Sequence, residues 1–224
     1  AAKNPEQKAT FEATLAAKEK ELLDLQNTLM KEYEGTQLAK LLRWKQEPNK
    51  TDINKYWSNI DFGDVSIIRS KILTDRIENF MRTFSKGTES GFYNCISVVV
   101  ERAKENDAVL EFALNQMLVG FYESSMENVC LYIIDNYING DACGDADLSN
   151  VVKSTAESIE RLSVGHMPPN IVMSSSNGDA IDLMKLAASK KYTLVLFWSS
   201  FCEHCKGEAP EVTACYTTWN KKGF

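Results

Sequence analysis

The chain has 224 residues, 44% of them hydrophobic and 25% charged, a composition typical of globular rather than disordered proteins. Its net charge of −6 excludes a general nucleic-acid binder, because such a protein needs a basic surface. No apolar run approaches the roughly 20 residues that a membrane-spanning helix requires, and the opening residues Ala1 to Asn4 do not read as a signal peptide.

The first part of the chain carries helical patterns almost throughout, which predicts an antiparallel helical domain over residues 1–162. The first helix should run from Pro5 to about Glu34, and the second should end near Pro48. A loop rich in Asn, Asp and Gly follows. The apolar stripes of five more helices begin at Ile72, Phe92, Leu110, Met126 and Leu148.

The pattern changes at residues 163–169, where a glycine and two prolines interrupt any helix and mark a domain boundary. In the second domain, 163–224, a short strand is expected at 171–173, followed by a turn at Asn177-Gly178 and a short helix from Leu183. The unbroken apolar run from Thr193 to Trp198 predicts a strand buried on both faces of an α/β sheet. A last helix should extend to about Asn220.

The motif Cys202-Glu203-His204-Cys205 begins that last helix. The start of a helix offers free amide groups and the positive end of the helix dipole, which lower the pKa of a thiol. The second cysteine lies one helical turn on, so the two sulfurs can close and reopen a disulfide. We therefore predict that Cys202 attacks a substrate disulfide and that Cys205 resolves the mixed disulfide.

The two residues between the cysteines act in opposite directions. His204 can add positive charge beside the thiolate, whereas Glu203 opposes thiolate formation. The sequence leaves open which effect is larger.

Zinc binding is the main alternative for this motif, with His204 and Cys215 as further ligands. A second pair of ligands at a typical spacing is lacking, so we assign no metal and no cofactor. Cys95, Cys130 and Cys215 are expected to be packing residues. Cys143 lies in a polar turn and has no assigned role. Three aromatic residues of the helical domain are expected in a core, with a binding groove as the less common alternative: Trp44, Tyr56 and Trp57.

A series of short motifs resembles the opening of a TlpA/ResA-type thioredoxin-like thiol-disulfide oxidoreductase. The matching stretches are Gly165 to Pro169, Asn177 to Asp179, Leu194 to Trp198, the four-residue motif itself, Lys206, Glu208, Pro210 and Trp219. The resemblance implies that Cys202 is exposed and Cys205 buried, that Pro210 kinks the active-site helix, and that Trp198 and Pro210 modulate the pair. Phe201 stands where that family usually has tryptophan.

The same resemblance implies further strands and a cis-proline loop, so residues 163–224 are expected to be the first portion of an incomplete domain with weak or no activity on its own. Three stretches resemble an uncharacterised helical domain that precedes thioredoxin-like domains in Bacteroidales envelope proteins: Gly35 to Leu42, Gln46 to Pro48 and Asn59 to Phe62. That likeness implies a periplasmic or cell-envelope location, with a membrane tether through a removed N-terminus.

These features predict a mainly α protein whose helical domain precedes a truncated α/β segment. Its function would be that of an envelope protein-disulfide reductase, acting on a disulfide-containing protein and reduced by a thiol-donating partner, with no nucleic-acid partner. The alternative is a helical interaction or scaffold protein whose cysteine pair is non-catalytic or binds metal. Both hypotheses, the reductase and the scaffold protein, leave open whether the chain forms homo-oligomers.

Overall fold

The computed structural model describes residues 5–140 and 148–219 and is mainly helical, which confirms the predicted fold class. The chain divides into two compact units, one up to His166 and one from Met167. The boundary predicted between residues 162 and 163 falls just before this division. Cys143 and the end of the predicted last helix at Asn220 lie outside the described residues.

Seven helices form the described part of the first unit, and the predicted elements correspond to them. Their bounds are α1 Pro5–Glu32, α2 Gln37–Lys45, α3 Ile72–Phe84, α4 Glu89–Ala103, α5 Asp107–Glu123, α6 Glu127–Ile133 and α7 Asn150–Leu162. A 3-10 helix, Val65–Arg69, precedes α3, and a π-helical turn, Ile134–Ile138, extends α6. Consecutive helices from α3 to α6 pack against one another, as their short connections predict.

Side-chain caps fix where several of these helices begin. The side chain of Thr36 accepts a hydrogen bond from the amide of Ala39 before α2, and Thr88 accepts one from Gly91 in α4. Asn106 accepts from the first amides of α5. Each cap satisfies a backbone N–H group that has no partner within the helix.

An aromatic cluster occupies the centre of the first unit. Trp44, Tyr56 and Trp57 are each 1% exposed, so the expectation of a core is confirmed. The ring of Phe80 lies 5.0 Å from that of Tyr56 and 4.9 Å from that of Trp57, between ring centroids. The loop before α3 is therefore held to that helix by aromatic packing.

The segment after α7 is attached to the first unit. The backbone N–H of Val164 donates to Oε1 of Glu127 over 2.8 Å. Ser163 is 5% exposed, and its Oγ lies 2.9 Å from Nδ1 of His166. These contacts explain why the first unit extends beyond the last residue of α7.

The second unit begins with a two-stranded antiparallel hairpin, β1 Val172–Ser174 and β2 Ala180–Asp182. Met173 lies opposite Ile181, and Gly178 turns the chain with a φ of 87°. A left-handed backbone of this kind favours glycine, which explains the Asn-Gly signal. Two helices follow, α8 Leu183–Ala188 and α9 Glu203–Trp219. None of the described helices combines the length and the apolar character that crossing a bilayer demands.

The predicted strand from Thr193 to Trp198 is wrong. These residues form no strand, and their apolar side chains are exposed, with Phe197 79% and Trp198 61% accessible. The physical reason is pairing, since β1 and β2 bond only to each other and leave this run without a strand neighbour. The described part of the second unit therefore contains a hairpin and two helices rather than an α/β sheet.

Candidate functional site

A disulfide joins Cys202 and Cys205 at the beginning of α9. Cys202 immediately precedes the first helical residue, and its carbonyl accepts the amide of Lys206 over 3.2 Å. Its own amide donates to the carbonyl of Ser199 over 3.0 Å, which closes a tight turn before the helix. The turn and the helix together place both sulfur atoms at the amino-terminal end of α9, as the sequence predicts.

The sulfur of Cys202 accepts a hydrogen bond from the backbone N–H of Cys205, over 3.2 Å. Free amides and the positive end of a helix dipole favour a thiolate over a thiol. After reduction, the same amide would therefore stabilise negative charge on Cys202. The thiolate of Cys202 therefore has electrostatic stabilisation that the thiolate of a cysteine further along the helix lacks.

The two side chains between the cysteines are both turned to solvent. Glu203 lies 2.5 Å from Nζ of Lys206, and the His204 ring lies 3.9 Å from Oε1 of Glu208. Their side chains are 85% and 89% exposed, so each acts through solvent and weakly. Sequence reasoning did not assign Lys206 as the partner of Glu203, although their spacing of three residues on a helix allows it.

Cys202 and Cys205 are both half-buried. The expected contrast between an exposed first cysteine and a buried second one is therefore not seen in the exposure of the two residues. What distinguishes them is their position, with Cys202 before the first turn of α9 and Cys205 within it.

Trp198 and Pro210 lie on one side of α9, at a shallow groove of about 580 Å³ that Lys206 and Thr213 also line. Pro210 is inside the helix, where it removes one backbone donor. Trp198 reaches this groove from the exposed segment rather than from a buried strand. Phe201, directly before the cysteine pair, is 94% exposed.

A second groove, of about 460 Å³, lies along α9 in the same unit. Its lining is mainly apolar and includes Leu186, Tyr192, Leu194 and Tyr216. Cys215 also lines it and is exposed, so the expectation that this cysteine is packed is wrong. The sequence predicted that Leu194 and Cys215 would be buried. Because the run from Thr193 to Trp198 has no strand neighbour in the described part of the second unit, both residues stay exposed.

Cys95 and Cys130 are buried packing residues, as predicted. Loss of contact with water raises the pKa of each thiol to about 11, which keeps both protonated and unreactive. Among residues 5–140 and 148–219, no group of three or more His, Cys, Asp or Glu side chains could hold a metal ion.

Comparison with protein-family models, with curated proteins and with solved structures finds no match for this chain.

Proposed function

We propose that this chain carries the dithiol of a thiol-disulfide oxidoreductase, acting as a protein-disulfide reductase of the bacterial cell envelope. The single observation that carries the proposal is the disulfide at the start of α9, with the amide of Cys205 directed at the sulfur of Cys202. A cysteine pair that packs a core has no need of that electrostatic setting.

The reaction follows from the positions of the two sulfurs. In the reduced form, the Cys202 thiolate attacks one sulfur of a substrate disulfide, and the other substrate sulfur leaves as a thiolate that takes a proton. Cys205 then loses its proton and attacks the Cys202 sulfur, which releases the second substrate thiol. Two electrons pass to the substrate, and the Cys202–Cys205 disulfide re-forms.

The surroundings of the pair suit a polypeptide substrate. Phe201 and Trp198, 94% and 61% exposed, provide apolar surface close to the pair along the chain. Exposed aromatic side chains are common anchors at protein interfaces. A thiol-donating redox partner completes the cycle by reducing the pair again, and the envelope location rests on the family resemblance.

The pH dependence of alkylation tests the proposal. The chain is reduced and treated with iodoacetamide across a pH series, and each cysteine is followed by mass spectrometry. We expect Cys202 to react at pH values at which Cys215, an exposed cysteine distant from the start of α9, reacts slowly. The matched control is Cys202→Ser, in which the reactivity of Cys215 should be unchanged.

A trapping experiment gives the second readout. Cys205→Ser, mixed with a disulfide-containing protein, should accumulate a mixed disulfide through Cys202, and Cys202→Ser should not. If Cys202 and Cys215 alkylate alike at every pH and no mixed disulfide forms, the proposed function is wrong. The helical unit, as an interaction or scaffold domain, would then be the working part of the chain.

A further inference from the structure

The apolar stripe of α1 is uncovered along most of its length. Residues 7–25 are all exposed, and α1 approaches α2 only near its end, where Leu29 is half-buried and Asn27 accepts a hydrogen bond from Gln46. An isolated helix is marginal in water, because most helical stability in proteins comes from packing of an apolar face. The exposed fractions along the stripe are Phe11 68%, Leu15 47%, Leu22 55% and Leu25 55%.

The spacing of the stripe is that of a coiled-coil seam. From Phe11 to Leu29, positions 11, 15, 18, 22, 25 and 29 follow alternating steps of four and three residues. A repeat of this kind fills the a and d positions that meet a second helix. Lys18 is the one charged residue of this run, and its Nζ lies 2.6 Å from Glu21 on the same helix.

The residues that flank the seam favour a parallel over an antiparallel pair of identical helices. In a parallel, in-register pair of identical helices, each flanking contact joins one carboxylate to one uncharged side chain that can hydrogen-bond. In an antiparallel pair of full overlap, Glu19 would face Glu19 of the other copy and Glu21 would face Glu21, which is repulsive. The parallel contacts are Gln7 with Glu12, Thr14 with Glu19, and Glu21 with Gln26.

We propose that α1 pairs with α1 of a second copy of this chain as a parallel two-stranded coiled coil. Phe11, Leu15, Leu22 and Leu25 are the exposed apolar residues of the seam, and Lys18 lies between Leu15 and Leu22. Lys18 lies at a seam position and faces Lys18 of the other copy in the parallel arrangement. It lowers the affinity, because the two like charges repel and each must reach past apolar neighbours to water. The dimer is therefore weak and depends on protein concentration.

Sedimentation velocity of the reduced full chain tests this inference, with the 25.2 kDa monomer as reference. We expect a dimer to appear as concentration rises through about 10 to 100 μM, the range of a weak association. The double variant Leu22→Glu/Leu25→Glu should stay monomeric over the same range. Leu23→Glu is the matched control, since Leu23 is 45% exposed but lies on the surface of α1 that points away from the seam. It should dimerise like the unaltered chain.

Two further variants examine the details. Lys18→Leu should move dimerisation to at least tenfold lower concentration, because it makes the seam continuous. When the unaltered chain is mixed with Glu19→Lys/Glu21→Lys, the parallel arrangement predicts no preference for the mixed dimer over the two dimers of identical chains. A chain that stays monomeric at about 100 μM, a dimer that survives Leu22→Glu/Leu25→Glu, or a strongly preferred mixed dimer would overturn the proposal.

Discussion

The guanidinium group of Arg76 donates a hydrogen bond from Nη2 to the backbone carbonyl oxygen of Trp44, over 2.6 Å. The same nitrogen donates to the carbonyl of Gln46 over 2.8 Å, and Arg76 is only 7% exposed. The carbonyls at the end of a helix lack partners within it. A side chain of α3 therefore closes the end of α2 and joins the two helices.

Replacing this arginine should destabilise the first unit. In Arg76→Met, the two carbonyls lose their donor, and we expect a loss of about 1 to 3 kcal/mol in the free energy of unfolding. Arg82→Met on the same helix is the control, because Arg82 is exposed and should change stability little. Urea denaturation followed by circular dichroism measures both. Equal stability of the two variants would contradict the closing role of Arg76.

Two helical glycines should respond oppositely to alanine. A methyl group at Gly91 would lie 1.9 Å from the carbonyl oxygen of Ser85, so Gly91→Ala should cost about 1 to 3 kcal/mol. Gly120, within α5, has open space at the same position, and Gly120→Ala should gain about 0.5 to 1 kcal/mol. Thermal or urea unfolding of the pair checks the signs. A stabilising Gly91→Ala would show that the turn before α4 is not packed as described.

The ion pair between Lys40 and Asp64 should make stability depend on acid pH. Nζ of Lys40 lies 2.6 Å from Asp64, and this hydrogen bond, together with Ser66, lowers the pKa of Asp64 to about 2. Because the folded pKa is below the unfolded one, the pair stabilises the fold above about pH 4 and the effect fades as pH falls toward 2.

Asp64→Asn should therefore lose on the order of 1 kcal/mol at neutral pH, a figure reduced because Lys40 is half exposed. The difference from the unaltered chain should shrink as pH falls from about 4 through 2 and vanish below that. Urea unfolding over a pH series measures it, and Lys40→Gln should reproduce the same dependence. A difference that does not change with pH would show that the charge of Asp64 does not stabilise the fold.

The cysteines of the helical unit should be protected from alkylation. Burial and a pKa near 11 should slow the reaction of Cys95 and Cys130 at least 100-fold relative to exposed Cys215 at pH 8. In urea, all three should react at similar rates. Mass spectrometry after timed quenching reports each site. Rapid labelling of Cys95 in the absence of urea would mean that the first unit opens readily.

The helices could be predicted because their apolar residues repeat over several turns, as in α4 and α5. The position of the cysteine pair at the start of α9 could be predicted for a similar reason, since a turn followed by a helical pattern is local information. The closing contact of Arg76 could not, because its acceptors lie about thirty residues away and helical spacing says nothing about them.

The strand prediction failed for a different reason. An apolar run such as Thr193 to Trp198 indicates residues that favour burial, but burial needs neighbouring strands that the run itself does not supply. The exposure of Cys215 and Tyr216 follows from the same absence of cover within the described part of the second unit.

The contact between Val164 and Glu127 determines where the helical unit can be cut out for separate study. A fragment that ends at Leu162, the last residue of α7, lacks Val164. The Glu127 carboxylate would then lose the hydrogen bond that it accepts from the Val164 backbone N–H. A fragment that ends at His166 keeps this contact and the one between Ser163 and His166. Crystallisation and binding screens of the helical unit should therefore use the longer boundary.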